Sequence, residues 1–589
     1  MKTFWKIFFG SLLAFLVASI LVFVIFFGVI GSMMGKASKG AEPMAREAIL
    51  RLDFLTPVAE QSQESFNWSP LAGADFSSSI SLYDYVRAID RAAEDPAIKF
   101  IYMIPDQPAL TQSQAEEIRA ALERFRASGK AIVSYSNRMT DGGYYLASVA
   151  DKVFMNSYGD AMMMGKSSSM IFFKDALDRL GINVQLIRHG KYKSAGETFV
   201  KNDISPENRE QNEVMLRSMW DAMAEDICTS RNLDPVLYNR WIDRLELTDA
   251  PSLLARGLVD ELLYETEVDD YLCSLTGVKK AEDLHFVDIA RYAGTLKDKT
   301  ARGIRDKIAI VYCSGEIVID GGEGSLAGRR MSRTLAKIRR DSTVKAVVLR
   351  VNSPGGDAQA AEMINHEIGL LKEVKPVIAS YGDYAASGGY WISARADKIY
   401  TDRSTLTGSI GVFSLIPSVG NALRKKVGVN IVNINTHRHS GMLSMMEPLD
   451  ANEQAYMSQL TERVYSDFTA LVAEGRRMPV EKVDELGQGR VWTGSDAVER
   501  GLADEIGSLA DAIEYAAVAA GLERGSYRIA EYPAVKGMME RLMESLSKTR
   551  VTLEAMSDPV AALEKSYAQL RKENRARAYA RLPWIYSFN

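Results

Sequence analysis

One passage of this chain occurs twice. Ser134–Phe154 reads SYSNRMTDGGYYLASVADKVF and Ser380–Tyr400 reads SYGDYAASGGYWISARADKIY, a spacing of 380 − 134 = 246 residues. The same offset pairs Gly165 with Gly411 and runs back without a gap to Pro108 and Pro354. One residue later GINV (181–184) meets GVNI (428–431), and ARGLVDE (255–261) meets ERGLADE (499–505) at an offset of 244. Repetition on this scale means two copies of one folding unit. It overrides the four or so domains of roughly 150 residues that length alone would suggest.

Each copy alternates short β-rich runs with helical patterns. AVVLRV (346–351) is followed by Ile364, Ile368 and Leu371 at i, i+4, i+7, then by PVIASY (376–381). That alternation predicts an α/β fold with much parallel sheet. The expected organisation is an N-terminal segment (1–44), two homologous units (45–300 and 301–540) and a helical tail (541–589). The boundary between the units falls in the charged stretch Lys297–Lys307, and the chain beyond Gly525 is expected to be helical, ending in an Arg-rich amphipathic stretch, Leu570–Leu582.

Residues 7–35 form a 29-residue run without a charge. About 20 residues cross a hydrocarbon core, and the apolar part of a cleaved signal peptide is only about 7–15 residues long. An uncleaved, single-pass transmembrane anchor is expected. Lys2 and Lys6 before the run and Lys36, Lys39 and Arg46 after it leave its orientation unfixed. A net charge of −5 argues against nucleic acid as a partner. Three scattered cysteines, Cys228, Cys273 and Cys313, form neither a disulfide framework nor a CxxC metal site, and no metal or other cofactor is expected.

The chemistry lies in what each copy kept. The second unit holds RVNSPGGD (350–357) between a strand and a helix that Asp357 can cap. Its glycines, Gly355 and Gly356, let backbone N–H groups approach an oxyanion closely. The first unit has Ala109 and Leu110 there. Ser409 stands in the turn TGSIG with the N–H of Ile410 beside it, where the first unit has Met163. Conversely, the first unit carries GKYKSAGETF (190–199), and the position of Lys193 is Ser440 in the second unit. The losses are complementary, so one centre assembled from both copies is expected.

NSPGGD, SGGYW, TGSIG, GKYKSA and GRVWTG (489–494) together resemble signal peptide peptidase A in its tandem-repeat, membrane-anchored form, a serine protease family with a Clp-protease/crotonase-like fold. The resemblance implies Ser409 as nucleophile, Lys193 as general base, and an oxyanion hole from Gly355 or Gly356 with Ile410. It further implies a homotetramer whose catalytic region is periplasmic, anchored by residues 7–35 in the bacterial inner membrane and degrading cleaved signal peptides and other hydrophobic peptides. AGETF departs from the acid–proline pair that the resemblance leads one to expect after the lysine.

A lysine base must be neutral, which requires burial or a neighbouring cation, for which Lys191 is a candidate. Methionines at 162–164, 170, 442, 445 and 446 are expected to line an adaptable apolar groove. Three other readings compete. One is a Ser-His protease using His437 or His439, another a crotonase-type acyl-CoA enzyme with Glu362 as base, and the third a non-catalytic membrane scaffold.

Overall fold

The computed structural model describes residues 47–62, 64–69, 73–296, 303–322, 324–534 and 579–581. The anchor expected at residues 7–35, and all of the tail expected at 541–589 except 579–581, lie outside the described residues. Among the described residues no helix is long and apolar enough to cross a membrane.

Two largely parallel sheets repeat one plan. The first runs, edge to edge, Glu261–Leu262, Lys152–Met162, Ile132–Thr140, Ile98–Met103, Ala48–Leu52, Phe286–Asp288. In the second, Glu505–Ile506, Lys398–Thr401, Val377–Ala386, Val344–Ser353, Lys307–Ser314 and Arg528–Tyr532 follow in the same order. Strands buried on both faces need near-continuous apolar runs, and successive side chains leave on opposite faces. Accordingly Ala309, Val311, Val347 and Leu349 join one core cluster of the second unit, while Ile308, Ile310, Ala346 and Val348 join another. All three cysteines are buried and free.

A third sheet joins the copies. Its order is Ser325–Ala327, Glu316–Val318, Gly355–Asp357, Tyr579–Arg581, Val412–Ser418, Asn183–His189. The last strand belongs to the first unit and pairs antiparallel with the second along its whole length, from Val412 opposite His189 to Ser418 opposite Asn183.

Expectation and structure differ beyond Gly525. Arg528–Tyr532 is a strand, because the second sheet has an open edge beside Lys307–Ser314 and the backbone of this segment fills it. Tyr579–Arg581, inside the stretch expected to be an amphipathic helix, is also extended and has sheet partners on both sides. Tertiary hydrogen bonding overrides a helical side-chain pattern at both places.

Candidate active site

Lys193 reaches the second unit because the strand before it is already there. Tyr192 N donates to Gln488 O at 2.9 Å. The two turns are in contact without spare room: a Cβ on Gly489 would stand 2.5 Å from Lys193 N and Cβ. From the other side Arg188 donates to Lys193 O at 2.8 Å and to Glu197 at 3.0 Å. Glu197, the acid of AGETF, is buried and also accepts from Ser205 Oγ and Asn208 Nδ2, so this departure from the expected motif forms a brace under the lysine turn.

Lys193 Nζ lies 2.8 Å from Ser387 Oγ, 3.0 Å from Ser409 Oγ and 3.0 Å from Ser409 O. Lys193, Ser387 and Ser409 are all fully buried. Burial alone drives the Lys193 ammonium well below its ordinary pKa. Lys191 plays no part in this; it is exposed, with its ammonium 5.2 Å from the Tyr192 ring centroid.

A neutral amine has two N–H bonds and one lone pair. Ser409 offers two acceptors, its carbonyl and its hydroxyl oxygen, and its own O–H reaches Gly489 O at 3.4 Å. That arrangement uses both N–H bonds on Ser409 and leaves the lone pair for the Ser387 hydroxyl. The lysine thus holds two serines in different ways.

Ser387 was not among the residues singled out from sequence. It sits between the Val377–Ala386 strand and the short helix Gly388–Trp391 with φ 56° and ψ −114°. Such a conformation costs on the order of 1–3 kcal/mol for a non-glycine residue and is a mark of reactive turns. The surroundings hold it there: Ser387 N donates to Gly408 O and Trp391 N to Ser387 O, both at 2.8 Å. The N–H groups of Gly388 and Gly389 open the helix, where no intrahelical acceptor exists for them. A Cβ on Gly389 would stand 2.5 Å from Ser353 O, so this elbow is pressed against the SPGG turn.

The two glycines of that turn differ. Gly355 N donates to Ser353 Oγ at 3.2 Å. Gly356 packs so closely on the neighbouring strand that a Cβ would stand 2.1 Å from Ile317 O. Ile410, the other expected oxyanion donor, belongs to a turn tied elsewhere. Ser409 N donates to Arg490 O and Gly489 N to Ile410 O, each at 2.7 Å, and the Ile410 side chain is core.

The rival bases are occupied away from the serines. His437 and His439 lie in an exposed turn, bound to Thr436 and to Glu453 respectively. Glu362 accepts from Trp391 Nε1 at 2.8 Å and from Asn365 at 3.0 Å, bracing the elbow helix from behind. The methionines do not converge either. Met163 is in the first unit's core, Met162 and Met164 are exposed, and Met442 packs on a small cluster with Ile187 and Ile416.

The first unit also supports the SPGG turn from beneath. Glu60 accepts from Arg350 Nε at 2.6 Å and from Asn352 Nδ2 at 3.2 Å, and Glu117 lies 2.7 Å from Arg350 Nη2. Arg350 is fully buried and further donates to Ser380 Oγ and Tyr381 O. Arginine is suited to such a position because its fork satisfies several acceptors at once.

A family model, Peptidase family S49, matches the chain twice, over residues 124–279 and 369–523. "Protease 4" of Haemophilus influenzae is 36% identical over 81% of this chain and 80% of its own length. "Protease 4" of Salmonella typhi is 33% identical over 89% and 86%. "Serine protease SPPA, chloroplastic" of Arabidopsis thaliana is 34% identical over 75% and 66%. With the domain present twice and relatives of this likeness along most of its length, the chain belongs to peptidase family S49, with the tandem-repeat organisation of the Protease 4/SppA proteins.

Proposed function

We propose that this protein is a serine endopeptidase in which Ser387 is the nucleophile, Lys193 the general base, and Ser409 the residue that orients the lysine. The carrying observation is the 2.8 Å contact between a buried amine and a hydroxyl on a strained strand-to-helix elbow. Neutral Lys193 takes the Ser387 proton as Oγ attacks a peptide carbonyl. The tetrahedral oxyanion is held by the N–H of Gly388 and the N–H of Gly356, the glycine whose partner Gly355 is already committed to Ser353. Lysine, now protonated, gives its proton to the leaving amine. In the second half Lys193 activates water, which releases the acyl group and restores the serine.

The substrates are hydrophobic peptides, remnant signal peptides among them, bound in extended form and degraded beside a membrane in which residues 7–35 are the anchor. The reading further takes the catalytic region to be periplasmic and the assembly to be a homotetramer. A charge-free run of sufficient length supports the anchor; size measurement of the solubilised protein tests the assembly.

A fluorophosphonate probe followed by peptide mapping tests the chemistry. Labelling of Ser387, lost in Lys193→Ala, is expected. The 3.0 Å contact of Lys193 with Ser409 Oγ favours a second reading with Ser409 as nucleophile, and label on Ser409 would establish it. No label at either serine, with no ester hydrolysis, would leave the scaffold reading.

A further inference from the structure

The GRVWTG stretch (489–494) and Gln488 before it stand between the two turns that meet at the lysine, yet the proposed reaction makes no direct use of their side chains. Gln488 O accepts from Tyr192 N at 2.9 Å, while Arg490 O accepts from Ser409 N and Gly489 N donates to Ile410 O, each at 2.7 Å. One short loop therefore fixes both the lysine turn of the first unit and the Ser409 turn of the second. The fit leaves no slack on the lysine side, where a Cβ on Gly190 would stand 2.4 Å from Gln488 C. Gln488 holds this place at φ 53°, a left-handed conformation that a residue with a side chain keeps only where its surroundings impose it.

The Tyr465 hydroxyl imposes it. Tyr465 is buried on the helix Ala451–Arg476; its oxygen accepts from Gln488 N at 3.2 Å and its proton goes to Asp484 Oδ1, which also accepts from Gln488 Nε2 at 2.6 Å. The Tyr465 ring stacks on His189 of the first unit with 3.7 Å between centroids, so the same side chain bears on the end of the strand that leads to Lys193. None of these bonds involves the amine itself, whose partners are Ser387 and Ser409. We propose that Tyr465 is a positioning residue: through Gln488 and Tyr192 its hydroxyl seats Lys193 in the water-free contact with the serines that proton transfer needs. The inference rests on the reading of Lys193 as general base and does not depend on which serine is the nucleophile. The charged groups along this path are Arg188 and Glu197 at the Lys193 carbonyl, Arg490 and Glu210 at Tyr192, and His189, Glu462 and Asp484 around Tyr465. Replacing Tyr465 by phenylalanine alters the charge of none of them.

The test uses the full-length protein. Tyr465→Phe keeps the ring stack and removes only the hydroxyl, so Gln488 N–H loses its acceptor and the lysine turn that Gln488 carries loosens toward water. Solvation returns a buried lysine toward its ordinary pKa, and the acid limb of kcat/KM against pH reports the base of the free enzyme. With a hydrophobic peptide ester, that limb is expected to move up by about 0.5–1 pH unit, the shift one hydrogen bond of ordinary worth sustains, and activity below the limb to fall about three- to tenfold with it. Asp484→Asn still offers an oxygen to the Tyr465 hydroxyl and is expected to keep the wild-type limb, whereas Asp484→Leu is expected to move it as Tyr465→Phe does. Tyr144→Phe removes a buried hydroxyl bonded to Leu258 O at 2.8 Å within the first unit; it is expected to lower the melting temperature comparably and to leave the limb in place. An unmoved limb in Tyr465→Phe or Asp484→Leu, or an equal shift in Tyr144→Phe, would overturn the positioning role. If wild type neither hydrolyses the ester nor takes the fluorophosphonate label, the catalytic reading fails and the inference with it; if wild type does both and Tyr465→Phe matches its profile, the positioning role alone fails.

Discussion

The two copies treat the same location in opposite ways. At this place in the second unit a strained serine and a second serine are buried with the first unit's Lys193 amine, which is hydrogen-bonded to both. In the first unit the 246 offset puts Asp141 where Ser387 stands and Met163 where Ser409 stands. Asp141 Oδ2 accepts from Met164 N at 3.0 Å and Gly165 N at 3.2 Å, and Met163 fills the core behind it. A carboxylate has tied down the turn that in the other copy presents a hydroxyl to a lysine, and an apolar side chain has closed the void. The copy that gives up Lys193 to the other thus keeps, at its own corresponding place, a carboxylate bound to backbone and an apolar core.

The largest expected contrast comes from the paired substitutions Ser387→Ala and Asp141→Asn. The first should lower kcat for ester hydrolysis by on the order of 10⁵–10⁶, the scale for removal of a protease nucleophile, while the second should change it less than twofold. Equal losses would mean that both locations are chemical. Lys193→Met should cost nearly as much activity and yet raise the melting temperature at neutral pH.

The sign follows from the depressed lysine pKa. The unfolded chain binds a proton that the folded chain excludes, so wild-type stability rises with pH between the folded and unfolded lysine pKa values. The advantage of Lys193→Met should shrink as pH approaches about 10.4, the ordinary lysine value. Activity of the wild type should likewise fall as pH drops through the lysine's folded pKa. A melting difference independent of pH would contradict the buried neutral amine.

Third in size is Gly356→Ala. Its Cβ would collide with Ile317 O, and displacement of the backbone N–H proposed to hold the oxyanion should reduce kcat about 10²–10³-fold, whereas Leu110→Ala at the matching place in the first unit should leave kcat unchanged. Smaller again is Ser409→Ala, expected to lower kcat by about 10²-fold, the low end of what a proton-transfer group contributes, without abolishing labelling of Ser387. Full loss of labelling would move the nucleophile to Ser409.

Much of this contrast could be read from the sequence. The repeat gave the fold class and the sheet plan, since apolar runs such as Ala346–Val351 fall in the strands and Asp357 caps its helix through Ala360 N at 2.9 Å. Lys193 was legible because its counterpart had been lost. Ser387 was equally marked, with Asp141 opposite it inside an otherwise shared GGY, but a serine followed by two glycines looks like an ordinary turn until the lysine is seen beside it. Which of two glycine-flanked serines offers its proton depends on the wiring of one amine across 194 and 216 residues of chain, and no local pattern encodes that. Tyr579–Arg581 left no signal either, because strand pairing through backbone is nearly independent of side-chain type.

The antiparallel pairing of Asn183–His189 with Val412–Ser418 has a consequence in time as well as in space. With Lys193 as base and Ser387 as nucleophile, as proposed, the base is made early and the nucleophile late, and a chain still emerging from the ribosome has the first without the second. On that reading it remains inert until its second half has folded onto its first, so the order of synthesis itself delays the onset of cutting.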